Sequence, residues 1–171
     1  MPPARYSAAQ KAPMRHAMLP VLATAMLIAT LTAQSSSVPY PEGYRDWRHV
    51  KSMVISQGHP LFEAFGGIHH IYANEPAIKG YASGKFPNGS VIVFDLLEAH
   101  SQDNATTEGT RKLLGVMHKD STRWAATGGW GFEGFKGDSR TERAVGATAA
   151  KSCFACHTSQ QATDYVFSRM R

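Results

Sequence analysis

Five residues near the end of the chain, Cys153-Phe154-Ala155-Cys156-His157, constrain it more than any other stretch. Two cysteines separated by two residues and followed at once by histidine form the attachment signature of a c-type haem. Each thiol adds across one of two neighbouring vinyl groups, and the short spacer holds both at one porphyrin edge. His157 is thereby carried beneath the iron, where an imidazole nitrogen binds as proximal ligand. A zinc site would want four ligands, usually with a second Cys or His pair. Cys153 and Cys156 are the only cysteines, and no histidine pair has the matching spacing. A redox Cys-x-x-Cys belongs beside a strand–helix unit of thioredoxin type, and nothing in the flanking sequence reads that way. The motif therefore sets the cofactor, one covalently attached haem c, with Cys153 and Cys156 holding the ring and His157 the iron.

The first 33 residues read as a secretory signal. Arg5, Lys11 and Arg15 form a basic start, and Met18 to Leu31 is an uncharged, mainly apolar run of 14 residues. That is short of the ~20 a spanning helix needs, and Thr32-Ala33 offers a small-residue cleavage site. Removal would leave 138 residues, one ordinary domain in size, and lower the formal charge from +5 to +2 through loss of three basic residues. No basic stripe remains, so nucleic acid is excluded as the expected partner. Export agrees with the haem motif, because c-type haem is attached outside the cytoplasm, and the expected location is the periplasm.

Residues 34–43, rich in Ser, Pro and Gly, suggest an unstructured lead-in. A strand is expected from Tyr44 through Ile55, a short aromatic turn or helical piece over Leu61 to Phe65, and a strand over Ile68 to Tyr72. Asn74-Glu75-Pro76 starts a helix that runs past Tyr81 to a stop at Gly84. The clearest strand is Val91 to Leu97. Its near-continuous apolar run belongs to a strand covered on both faces, with Ile92, Phe94 and Leu96 on one and Val91, Val93 and Asp95 on the other. His100 to Gly109 reads as a polar loop, and Arg111 to Met117 as the next strand. A short helix is expected from Asp120, and a glycine-rich aromatic strand over Gly128 to Phe135. Lys136 to Arg143 reads as a charged loop, and Asp164 to Met170 as a terminal helix. The class is α+β, mainly antiparallel sheet with short helices and a C-terminal haem-attachment segment. Helical cytochromes with four long amphipathic helices do not fit this pattern. Met53 and Met117 read as core residues. Met170, the only methionine after His157, leaves the iron without an evident sixth protein ligand.

With the strands, the late haem motif and the missing ligand assembled, residues 44–171 resemble the cytochrome P-460 / cytochrome c′-β family. The residues that carry the resemblance are Tyr44-Arg45-Asp46-Trp47, Ile71-Tyr72, Phe86-Pro87-Asn88-Gly89-Ser90-Val91, Lys119-Asp120-Ser121, Gly129-Trp130-Gly131-Phe132, the haem motif, and Asp164-Tyr165-Val166-Phe167. The resemblance implies a periplasmic homodimer, largely antiparallel sheet, with one five-coordinate haem c open on its distal side. It also implies a choice of chemistry. P-460 members oxidise hydroxylamine and join a lysine to the haem ring, whereas c′-β members lack that bond and bind nitric oxide in an apolar pocket.

Aligned on Asn88-Gly89-Ser90-Val91, Phe94 falls where the P-460 branch has its lysine, and Phe65 matches a second distal phenylalanine of the c′-β branch. Lys79 and Lys85, nearby in sequence, read as solvated side chains. Dioxygen as a ligand depends on a hydrogen-bond donor beside it, whereas nitric oxide and carbon monoxide do not, so phenyl walls favour the latter pair. His69 aligns with a distal arginine of the P-460 branch and is the candidate proton donor, which would favour an enzyme. His69 and His70 are adjacent on a strand, so at most one of them faces the haem. The leading expectation is a gas-binding haem protein that takes nitric oxide or carbon monoxide for scavenging, sensing or transfer, with a periplasmic redox partner. The alternative is a hydroxylamine-oxidising enzyme; a plain electron carrier ranks below both.

Overall fold

The computed structural model describes residues 37–170 together with Met1, and the expected signal segment lies outside them. The chain divides into two units, Met1–Gln34 and Ser35–Arg171. Among the described residues no helix is long and apolar enough to cross a membrane.

Five antiparallel strands form one sheet in sequential order: β1 (Arg48–Ile55), β2 (Gly67–Ala73), β3 (Val91–Gln102), β4 (Ala105–Lys119) and β5 (Trp130–Lys136). Helix α1 (Phe62–Phe65) joins β1 to β2, α2 (Glu75–Ser83) joins β2 to β3, and α3 (Ala155–His157) lies in the haem-motif segment. The expected α+β class holds. The α2 signals act as the sequence suggests. Asn74 Oδ1 accepts the Ala77 N–H at 3.1 Å and the Val91 N–H at 2.9 Å, so one side chain caps the helix and docks it on β3. Gly84 closes the helix in the left-handed conformation (φ 74) and returns its N–H to Gly80.

Directly opposed residues of an antiparallel pair share a face, and the register sorts the sheet accordingly. Ala73, Ile92, Met117 and Phe132 form one row, and Ile71, Phe94, Gly115 and Gly134 the next. This face holds the core of Val50, Ala77, Phe86, Ile92, Trp130, Phe132 and Val166, against which Cys153, Phe154 and Tyr165 pack. The opposite face buries Val38, Tyr44, Val93, Leu114, Val116 and Phe135. There Asp95, 1% exposed, accepts the Tyr44 hydroxyl at 2.6 Å and Arg111 Nε at 2.6 Å. Burial, then the neighbouring carboxylate, push the Tyr44 phenol up to about 12.

Several expectations are corrected. His100 to Gly109 is not a loop: β3 and β4 continue to a two-residue turn at Asp103-Asn104, both with positive φ (51 and 63). That is the backbone a tight hairpin demands, and Asp and Asn tolerate it. Val38 in the expected lead-in is 2% exposed, and Tyr40 packs edge-on to Phe135 with ring centroids 5.1 Å apart. Tyr44–Asp46 is a 3₁₀ turn, so β1 starts only at Arg48. The helix expected from Asp120 is a run of turns followed by a 3₁₀ turn at Ala125–Thr127. Asp164 to Met170 is not helical, because Asp164 and Tyr165 both take left-handed φ (52 and 66). Met53 is 50% exposed on the edge strand β1 and is not core, whereas Met117 packs against the cluster around Phe132.

Candidate haem site

Cys153 lies in a π-helical turn, Ala150–Phe154, that runs directly into α3 with Cys156 and His157. Both thiols are free; Cys153 is half-buried and Cys156 exposed. Burial, then the charges of Glu133 and Cys156, push the Cys153 thiol up. His157 stands between two rings, with centroids 5.0 Å from Phe132 and 4.9 Å from Phe167. Its Nδ1 lies 2.7 Å from the Tyr165 carbonyl oxygen. A carbonyl only accepts, so Nδ1 carries the proton and Nε2 keeps its lone pair. This is the arrangement by which a backbone acceptor fixes the tautomer of a ligating histidine. Desolvation holds His157 below its ordinary value, towards the neutral form that binds metal.

The Tyr165 carbonyl is itself held by a buried network. Asp164 accepts Lys119 Nζ at 2.7 Å through one oxygen and the Phe86 N–H at 2.9 Å through the other. Its backbone carbonyl accepts Trp130 Nε1 at 2.8 Å. Lys119 also donates to the Gly128 carbonyl at 2.9 Å and lies 5.0 Å from the Trp130 ring centre. A Cβ at Gly128 would come within 2.2 Å of the Tyr165 ring, so this position has room only for glycine. Lys119 and Asp164 stand in the sequence only within family-like stretches, and nothing in either stretch reveals a pair 45 residues apart.

Phe65 and Phe94, aligned separately from the sequence, meet edge-to-face with centroids 5.8 Å apart. His69 joins them, its ring 4.5 Å from that of Phe94. His69 shares the Phe94 face and His70 the opposite one, since His69 pairs with Leu96 and His70 with Asp95. His69 is 1% exposed. Its Nε2 lies 2.5 Å from the Phe65 carbonyl oxygen, so Nε2 carries the proton, and the buried Nδ1 has no partner. Desolvation, reinforced by Lys112 and His70, lowers its pKa and keeps the ring neutral. Lys112 reaches the same end of α1, where Nζ donates to the Gly66 carbonyl at 2.7 Å. Gly115 and Gly134 occupy the positions opposite Phe94 on β4 and β5. A Cβ at Gly115 would meet the Phe94 side chain at 3.4 Å, and one at Gly134 would meet Ala144 and Val145 at 3.3 Å.

The donor set fits a haem. A neutral imidazole with a free Nε2, two free thiols within one helical stretch, and an aromatic sheet face against which Cys153 packs are what a covalently held porphyrin requires. Fold and site together define a haem-holding sheet protein rather than a helical cytochrome. The family model described as Cytochrome P460 matches residues 41–168. The chain belongs to the cytochrome P460 family, and it is a haem cytochrome. A comparison with curated proteins gives no match.

Proposed function

We propose that the protein is a periplasmic mono-haem cytochrome of c type that binds nitric oxide and carbon monoxide at an apolar distal pocket, for scavenging, sensing or transfer. Cys153 and Cys156 attach the ring, His157 is the proximal ligand, and Phe65 and Phe94 line the distal side. When bound, the haem supplies an iron that takes small diatomic ligands. The observation that carries this reading is the hydrogen-bond account of His69. Its single N–H is committed to the Phe65 carbonyl, and the neutral ring has only an acceptor left. A pocket walled by two phenyl rings and a histidine without a free N–H offers a ligand no proton and no donor. That supports ligands needing neither, and it counts against His69 as a general acid. The reading is also supported by the alignment of Phe94 with the lysine of the hydroxylamine-oxidising branch, because a phenyl ring cannot make that bond. The proposal extends to a homodimer and a periplasmic redox partner. Support for the dimer comes from Met53, a large apolar side chain 50% exposed on the face of β1 turned away from Ser52.

The test is proteolysis of the purified haem protein with mass spectrometry of the haem peptide, beside optical titration of the ferrous form with nitric oxide and carbon monoxide. A single haem-bearing segment containing Cys153 and Cys156, with saturable binding of both gases, is expected. A second chain segment attached to the haem through a lysine, with turnover of hydroxylamine, would replace this reading by the enzymatic one.

A further inference from the structure

On the face of the sheet opposite His69, four side chains from three strands form one directed chain of hydrogen bonds. His49 Nε2 lies 2.9 Å from Ser52 Oγ, Ser52 Oγ lies 2.7 Å from His70 Nδ1, and His70 Nε2 lies 2.5 Å from Glu108 Oε1. The protons follow from the acceptors. Glu108 accepts, so His70 carries its proton on Nε2 and presents a lone pair at Nδ1. The hydroxyl therefore donates to His70 and accepts from His49. The two imidazole rings stand 5.9 Å apart, and each also packs near Tyr72. The cluster takes no part in the haem site.

We infer that His49 and His70 form a site for a borderline divalent transition ion, Zn²⁺ or Cu²⁺, at the point marked by the Ser52 hydroxyl, with Glu108 as the carboxylate behind His70. Two imidazole nitrogens converge on that hydroxyl. This separates the arrangement from a serine nucleophile, which a single base addresses. Imidazole donors select Zn²⁺ and Cu²⁺ over Mg²⁺ and Ca²⁺. Zn–N bonds run ~2.0–2.1 Å, so each ring needs to close by less than about 1 Å on an ion that takes the hydroxyl's place. Ser52 then turns aside, and the His49 proton is carried on Nδ1 so that Nε2 presents its lone pair. A carboxylate on the far nitrogen of a ligating histidine fixes its orientation and raises its basicity, and Glu108 already stands there. Among the described residues no group of three or more His, Cys, Asp or Glu forms a metal site, so two nitrogens and water complete this one. The ion can reach it: His49 and Ser52 are exposed, and His49 borders an open groove beside Trp47 and Asn74.

The experiment is calorimetric titration of ZnCl₂ into the haem-loaded protein, with thermal melts at saturating Zn²⁺. One micromolar-range site and a melting point raised by several degrees are expected, with the haem spectrum unchanged. His49→Ala and His70→Ala should each abolish the site, and Glu108→Gln should weaken it by about 10–100-fold. His59→Ala, at an exposed histidine outside the cluster, should leave it intact. His49→Ala lies on an exposed edge strand, so its folding is not at risk, and circular dichroism checks the other variants. No binding up to millimolar Zn²⁺, or binding that survives both His49→Ala and His70→Ala, would overturn the inference.

Discussion

Asp164 ties together the turn behind His157 with three acceptor contacts from one residue, in a backbone conformation that residues other than glycine rarely adopt. Lys119 and Asp164 are both 8% exposed, so neither charge can turn to water once its partner is lost. Breaking a buried pair by removing one member typically costs ~3–5 kcal/mol, more than an ordinary surface contact by several-fold. Asp164→Asn keeps the shape and an acceptor for the Phe86 N–H but leaves the Lys119 ammonium uncompensated. It should cost about 3 kcal/mol in a urea melt. It should also loosen the Tyr165 carbonyl under His157, so the iron–histidine vibration of the ferrous protein should fall in frequency. A large stability loss with that vibration unmoved would make Asp164 a structural anchor only. Lys119→Met with Asp164→Asn removes both charges and should recover part of the stability, because a buried pair replaced as a unit leaves no orphan charge.

Helix α1 has four residues, too few to hold itself; the sheet beneath holds its end. Consecutive carbonyls at Phe65 and Gly66 accept from His69 and Lys112, and Gly66 and Gly67 follow as the joint into β2. The Phe65 ring, 36% exposed, is thus fastened over Phe94 by two side chains that need not touch the ligand. Lys112→Met and His69→Phe should each free that end. Carbon monoxide association, followed after flash photolysis, should then quicken several-fold with little change in melting point, since each lost bond is worth about 1 kcal/mol. Unchanged rates in both variants would show that α1 does not control access. The sequence marks α1 as an aromatic turn or helical piece, but the two side chains that hold its end are not legible there. What could be read was local: the apolar run of β3, the Asn74 cap and Gly84 stop of α2, and the haem motif. What could not be read was set by distant partners. The β3–β4 arm is polar on both faces, as the bond between Ser101 and Thr106 illustrates, so it lacks the alternation that marks a half-buried strand. The terminal segment was read as helix because its left-handed turn is imposed by Lys119, Phe86 and Trp130. The choice between His69 and His70 had to wait for the β2–β3 register.

Across the whole molecule, the haem-motif segment, the N-terminal lead-in and β5 meet at Glu133, which is 4% exposed. One of its oxygens accepts the N–H groups of Gly134, Val145 and Gly146, and the other accepts Arg143 at 2.8 Å. The same Arg143 nitrogen donates to the Val38 carbonyl at 2.8 Å. A single carboxylate thus joins the strand that carries Phe132, the residues leading to Cys153 and the segment around Val38 that precedes β1. Burial alone pushes its pKa up, but the backbone and Arg143 donors outweigh that and hold it below the ordinary value. The direction decides the pH dependence. As pH falls, the unfolded chain takes up this proton before the folded one. The stability Glu133 contributes is therefore complete above ~4.3, the ordinary glutamate value, and is lost as pH drops through the lower folded one. Glu133→Gln removes the charge and leaves Arg143 without its carboxylate, so the variant should be less stable than wild type at neutral pH. The gap should narrow between about pH 5 and pH 3, because wild type is then losing what the variant already lacks. Urea midpoints for both proteins across that range, read by far-ultraviolet circular dichroism, measure it. Curves that stay parallel down to pH 3 would show that acid weakens the fold elsewhere and that the junction at Glu133 is held by its backbone bonds without need of the charge.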